Sequence, residues 1–179
     1  PAQVQRDTLG VVSIQAANAT DAARVLGFVH GQERFFEMDL LRRSASGELS
    51  ALFGKIAVEK DKSIRVHRLR ARIRQNYAQM AGSEAAVLQA YADGVNAGLK
   101  ALSAKPWPYM LLNAKPEPWK PEDSFLVGFA MFFDLQDEDN EREYKLWQLK
   151  NLLPAPIFAM LTQTRSAWDA PLFGTSTLT

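Results

Sequence analysis

Two histidines, no cysteine and one dense run of carboxylates limit the chemistry available to this chain. The missing cysteines exclude a thiol nucleophile, a disulfide framework and an iron–sulfur cluster. His30 and His67 cannot build a zinc site without carboxylate or partner ligands. Ser13, Ser44 and Ser46 have no histidine in a triad context, so no catalytic residue is expected here. Asp134-Leu-Gln-Asp-Glu-Asp-Asn-Glu-Arg-Glu143 is the most acidic stretch, and by composition alone it is a solvated surface. A second charged stretch, Glu59 to Arg74, carries Lys60, Lys62, Arg65, His67, Arg68, Arg70, Arg72 and Arg74. In isolation it invites a nucleic-acid reading. Ile64, Val66, Leu69 and Ile73 break it up and no aromatic residue interleaves it, so it reads as a solvated helix face, some of whose arginines can pair with a partner chain. His30 reads as a structural residue satisfying a backbone carbonyl. Arg42 and Arg43 sit where they oppose a helix dipole and can pair with acidic groups.

The elements that must position these groups are mostly helical. Val4–Asp7 and Val11–Gln15 read as a β-hairpin around Gly10, and from Thr20 the pattern turns helical, with Thr20 or Asn18 as the cap. A second helical run stops near Gly47. Its apolar stripe holds Phe35, Met38 and either Leu41 or Arg42. Ser83–Leu102 is the clearest helix, with Ser83 as N-cap and Val87, Leu88, Tyr91, Val95, Leu99 and Leu102 along one face. Prolines 106, 108, 116, 118 and 121 force an extended connection with packed aromatics Trp107, Tyr109 and Trp119. Pro121 suits the first turn of the next helix, with Glu122 and Asp123 at its positive end. Phe125–Phe133 is a buried helix or a pocket wall. A further helix carries Tyr144, Leu146, Trp147, Leu149 and Leu153, and Ile157–Leu161 follows Pro154 and Pro156. The expected organisation is a single domain over 1–179: hairpin 4–15, helical body 20–162 and tail 163–179.

At 179 residues, with 47% hydrophobic and 23% charged residues, the chain can bury one real core. Its formal net charge of +1 gives no global attraction to nucleic acid or to a membrane surface. No apolar run approaches the roughly 20 residues of a membrane span. A start at Pro1 instead of Met fits removal of a leader, as it fits trimming.

Several blocks in fixed order resemble the alpha (small) chain of the penicillin acylase family of N-terminal-nucleophile hydrolases. They are Val4-Gln-Arg-Asp7 with Gly10, then Gly27 with His30-Gly-Gln-Glu-Arg-Phe-Phe-Glu-Met38, then Arg42-Arg43, Gly47 and Phe53-Gly54. Asp61–Arg65, Tyr91-Ala-Asp-Gly-Val-Asn-Ala97 and Pro118-Trp119 with Glu122-Asp123 complete the set. The resemblance covers about residues 4 to 145. It implies that the chain completes a four-layer αββα fold with a beta chain cut from the same precursor by autoproteolysis. It also implies an amide hydrolase whose nucleophile is a serine at the beta chain's N-terminus. An α-amine ordinarily titrates at about 7.7–8.0, so that serine's own amine can take the hydroxyl proton near neutrality.

The same resemblance implies the site residues. Met131, Phe132, Asp134 and Leu135 line the acyl pocket, although Met131 and Phe132 can equally be core. Glu141 is the implied ligand of a structural Ca2+ shared with the beta chain, with Asp137, Glu138 and Asp139 one turn away as competitors. No organic cofactor is expected. Close penicillin G acylases have Pro-His where this chain has Val12-Ser13, and an Arg-Phe-Ser step where it runs through Asp134-Leu135-Gln136. Leu135 in place of a phenyl ring suggests a flexible aliphatic acyl chain, as in the acyl-homoserine-lactone acylases. The expected substrates are N-acyl-homoserine lactones and/or β-lactams such as penicillin G, which would place the protein in quorum quenching or antibiotic resistance. The expected compartment is periplasmic or secreted. A non-enzymatic helical interaction module is the alternative, since nothing in the chain catalyses alone.

Overall fold

The computed structural model describes residues 2–136 and 140–162. The chain divides into two compact units, Pro1–Leu135 and Gln136–Thr179. The first opens with the antiparallel hairpin β1 (Ala2–Arg6) and β2 (Val12–Ala16), in a register running from Ala2 opposite Ala16 to Arg6 opposite Val12. The Asp7 carboxylate accepts from the backbone N–H groups of Leu9 (2.9 Å) and Val11 (2.8 Å), an Asx-type turn that fixes the loop. Strand β1 begins two residues earlier than the residue types suggest, and β2 one residue later.

Helix α1 (Ala19–Glu33) starts at Asn18, whose side-chain oxygen accepts from the Asp21 N–H at 2.8 Å, so Asn18 and not Thr20 is the cap. Helix α2 (Phe35–Ser46) ends at Gly47, where φ is +67° and the Glu48 N–H returns to the Arg43 carbonyl at 2.9 Å. This is a Schellman ending, and it turns the chain into α3 (Ser50–Phe53). The buried stripe of α2 is Phe35, Met38 and Arg42, while Leu41 is exposed.

The basic stretch is two helices, α4 (Val58–Arg65) and α5 (Leu69–Ala81), and not one solvated face. Arg68 in the left-handed region (φ +53°) separates them, and Ile64 and Ile73 anchor each to the body. Helix α6 (Ala85–Lys100) starts after a 3-10 turn at Gly82–Glu84. Ser83 therefore does not cap it; its hydroxyl donates to Glu84 Oε1 at 3.3 Å.

Helices α1 and α6 touch backbone to backbone. A Cβ placed on Gly27 or Gly31 would lie 2.2 Å from the carbonyl oxygen of Tyr91 or Val95. One on Gly94 or Gly98 would lie 1.9 Å from Arg24 O or 2.0 Å from Phe28 O. Two glycines four residues apart on each helix form the seam, because only a missing Cβ permits this approach.

Around that pair lies a core of Phe35, Met38, Ala92, Val95, Tyr109 and Trp119. Tyr109 belongs to the short α7 (Trp107–Leu111); Trp107, expected to pack, is 70% exposed. The Asn96 side chain holds the proline-rich connection onto α6. Its Nδ2 donates to Trp119 O at 2.8 Å and its Oδ1 accepts from Trp119 N at 2.7 Å. Helix α8 (Asp123–Leu135) starts two residues after Pro121, which lies in the preceding turn. The second unit contains α9 (Glu141–Leu152) and α10 (Ala155–Leu161), broken at Leu153–Pro154. Among the described residues, no helix is long and apolar enough to cross a membrane.

Candidate functional site

Helix α8 carries the four residues expected to meet substrate. Leu126 is fully buried against Ile73 and Ala45, with Phe125, Phe129 and Ala130 packed beside them. Met131 (62%), Phe132 (53%) and Leu135 (73%) are open, and Asp134 is exposed with them. Met131 and Phe132 are therefore not core residues of this chain. The run Phe125–Phe133 is apolar all round yet covered on one side only. A helix of that type belongs inside a larger body.

Glu141 is the first residue of α9, exposed, with Lys145 Nζ donating to its Oε2 at 2.6 Å. Its competitors Asp137, Glu138 and Asp139 lie outside the described residues. No three His, Asp or Glu among the described residues are grouped closely enough to hold a metal ion. Calcium takes about six to eight oxygens. The described residues can offer Glu141 as one ligand but cannot form the site.

The best-ordered chemistry lies elsewhere, in an ionic core that joins α2, α5, α7 and the start of α8. Asp39 has no solvent exposure. Its Oδ1 accepts from Arg42 Nε (2.7 Å) and Arg43 Nε (2.9 Å), and its Oδ2 from the Tyr109 hydroxyl (2.6 Å). Arg42 then donates to Asp123 Oδ2 (2.7 Å) and to the carbonyls of Pro118 (2.9 Å) and Glu117 (2.8 Å). Its guanidinium also stands 5.0 Å from the Trp119 ring. Arg70 reaches Asp123 Oδ1 at 2.7 Å and grips Glu48 with two bonds of 2.8 and 2.7 Å.

Burial pushes the Asp123 carboxyl upward, but Arg42, the Lys120 N–H and Arg70 together hold it below the ordinary range. Burial and the bond to Asp39 raise the Tyr109 hydroxyl, which stays a neutral donor. Asp61 is buried too, yet its bonds from Ser50 and Leu49, with Arg65 nearby, lower its carboxyl and let it cap α3. No described buried side-chain polar atom lacks a partner.

Arg42 and Arg43 are thus buried connectors rather than dipole partners alone. The missed members are Asp39 and Asp123. Asp39 was readable, because an acid three and four residues before two arginines, on the stripe of Phe35 and Met38, marks a pair folded into the core. His30 departs from expectation: its Nδ1 lies 2.9 Å from the Tyr91 hydroxyl and not against a carbonyl. Burial, with Arg34 adding to it, lowers its pKa.

The blocks that fold together here are those of a known family. The model of the family described as Penicillin amidase matches residues 1–169, and the chain belongs to that family. It is 40% identical over 127 residues to the Penicillin acylase 2 proenzyme of Pseudomonas sp. (strain SE83), covering 71% of this chain and 16% of that protein. It is 34% identical over 140 residues to the acyl-homoserine lactone acylase QuiP of Pseudomonas aeruginosa, covering 75% of this chain and 16% of the relative. The chain therefore spans about a sixth of the length of these relatives. In fold it is similar to a thermostable penicillin G acylase from Alcaligenes faecalis, with a TM-score of 0.73, 23% identity and 98% coverage of both chains.

Proposed function

We propose that this chain is the alpha subunit of a heterodimeric amidohydrolase that cleaves the acyl side-chain amide of N-acyl-homoserine lactones and/or β-lactam antibiotics such as penicillin G. The observation that carries the reading is membership of the penicillin amidase family over 169 of 179 residues. Relatives with names of both substrate classes support leaving lactone and lactam together. The two-chain reading draws support from a relative whose name is that of a proenzyme. The half-covered α8 adds to it, since so apolar a helix needs a companion surface.

In this reading the nucleophile is a serine at the N-terminus of the beta chain, activated by its own α-amine. This chain supplies walls. Met131, Phe132 and Leu135 offer adaptable apolar surface to an acyl chain, methionine through its flexible thioether, and Asp134 sets a polar end to the pocket. Glu141 contributes one carboxylate to a structural Ca2+ shared with the beta chain, which neutralises charge and ties the chains together. The enzyme acts in the periplasm or is secreted. The test is expression of the full-length protein and N-terminal sequencing of the larger polypeptide that co-purifies. A serine at its first position is the expected result; a first residue other than Ser, Thr or Cys, or no second polypeptide, refutes the reading. Assays with a long-chain acyl-homoserine lactone beside penicillin G then separate the substrates.

A further inference from the structure

Below the ionic core a cleft of about 310 Å³ opens, lined by Arg43, Arg65, Arg70, Arg74, Lys120 and Glu117 among others. Most of its donors are committed, and those of Arg43, Arg65 and Lys120 are the least so. Arg43 has a side chain only 6% exposed; its Nε is spent on Asp39, and its Nη2 stands 3.9 Å from Glu117 Oε1, beyond hydrogen-bond reach. Arg65 gives its Nε to Gly47 O at 2.7 Å. Lys120 is exposed and uses only its backbone N–H, on Asp123. The remaining nitrogens of these three side chains have no acceptor among the described residues.

Most carboxylates nearby are already taken. Asp39 and Asp123 already accept from the core arginines, Asp61 accepts from Leu49 and Ser50, and Glu122 accepts from Arg74. Glu48 is taken by Arg70, and Glu117, 74% exposed, forms only a long ion pair with Arg43. A nearly buried guanidinium that lines a cleft together with two further cationic side chains is a donor set that matches an oxyanion.

The geometry points to an oxyanion-binding site between Arg43, Arg65 and Lys120, for a carboxylate or phosphate group. Its source is either a free ion or an acidic side chain elsewhere in the full-length polypeptide. The site does not depend on the acylase reading.

Two arms of one experiment on the full-length protein distinguish the sources. In the first, inorganic phosphate is titrated at constant ionic strength while binding is followed by calorimetry. Lys120→Met, which removes no side-chain hydrogen bond or ion pair among the described residues, weakens phosphate about fivefold, the worth of one exposed ion pair. Glu117→Gln, which removes a competing charge, tightens it, a gain that misfolding would not produce. In the second arm, a zero-length carbodiimide joins the Lys120 amine to any paired carboxylate as an amide, with loss of water, and peptide mapping locates the link. Phosphate binding with these opposite shifts assigns a free ion. A link from Lys120 to an Asp or Glu outside residues 1–135, with no phosphate effect, assigns a side chain. No phosphate binding, with Lys120 unlinked or linked only to Glu117 or Glu122, overturns the site.

Discussion

Asp39 binds two arginines and a tyrosine from a position without solvent, and that makes it the most consequential single residue of the body. Removing one member of a buried ionic network leaves the others charged and unpaired, at a cost of about 3–5 kcal/mol. Asp39→Asn is therefore expected to lower the melting temperature of the full-length protein far more than Leu41→Asn on the exposed side of α2, as calorimetry would measure. Asp123 makes the acid behaviour readable. Its folded pKa is depressed, so its contribution is complete above the unfolded carboxyl value of about 3.9 and is lost as pH falls from there through the folded value. Asp123→Asn is expected to be less stable at pH 7 and to lose less further stability below pH ~4. Melting curves of both proteins across that range check the sign. The sequence exposed part of this core. The spacing of Asp39, Arg42 and Arg43 was legible, but Asp123 and Arg70 come from helices distant in sequence, and no local pattern announces that they meet.

Among the elements, the crossing of α1 and α6 carries the fold. Glycine inside a helix costs roughly 0.5–1 kcal/mol relative to alanine, so alanine would normally stabilise. Here it does the opposite, because the added methyl meets backbone that cannot yield. Gly31→Ala is expected to destabilise by about 1–3 kcal/mol, the range for an overpacked core, whereas Gly128→Ala, with open space at its Cβ, is expected to be neutral or stabilising. Denaturation midpoints of the pair decide it. The apolar stripe of α6 was legible from its period, and the glycines were visible in the sequence. Their pairing was not, since a glycine four residues from another can as well be a tolerated weakness as a contact. Ser83 shows the converse: its type suits a cap, but the 3-10 turn at Gly82 starts the helix two residues later.

At the scale of the whole molecule, the proposed companion chain bears on the open end of α8. Met131, Phe132 and Leu135 stand open at the end of α8, which suits the wall of an acyl pocket completed by a companion. Leu135→Phe is expected to shift the full-length enzyme's preference from long aliphatic toward aromatic acyl groups by about tenfold in relative kcat/KM, since pocket fit of this size is worth ~1–3 kcal/mol. Matched assays with a long-chain acyl-homoserine lactone and penicillin G would show it. Glu141→Ala is expected to lower the calcium content or the yield of mature enzyme. Unchanged metal and unchanged processing would remove Glu141 from the ligand set.

By itself the sequence determined the family, the hairpin and the helical body, because each is written in local periodicity, turn chemistry and the order of short blocks. It left open whether Leu41 or Arg42 lies inside, where Arg42 is buried and Leu41 exposed, and it misjudged Trp107, which is open while Trp119 is closed. Only the tertiary structure decided those, for a physical reason. Burial of a charge depends on whether Asp39, Asp123 and backbone carbonyls from separate segments arrive to satisfy it, and that is a property of packing and not of the residue.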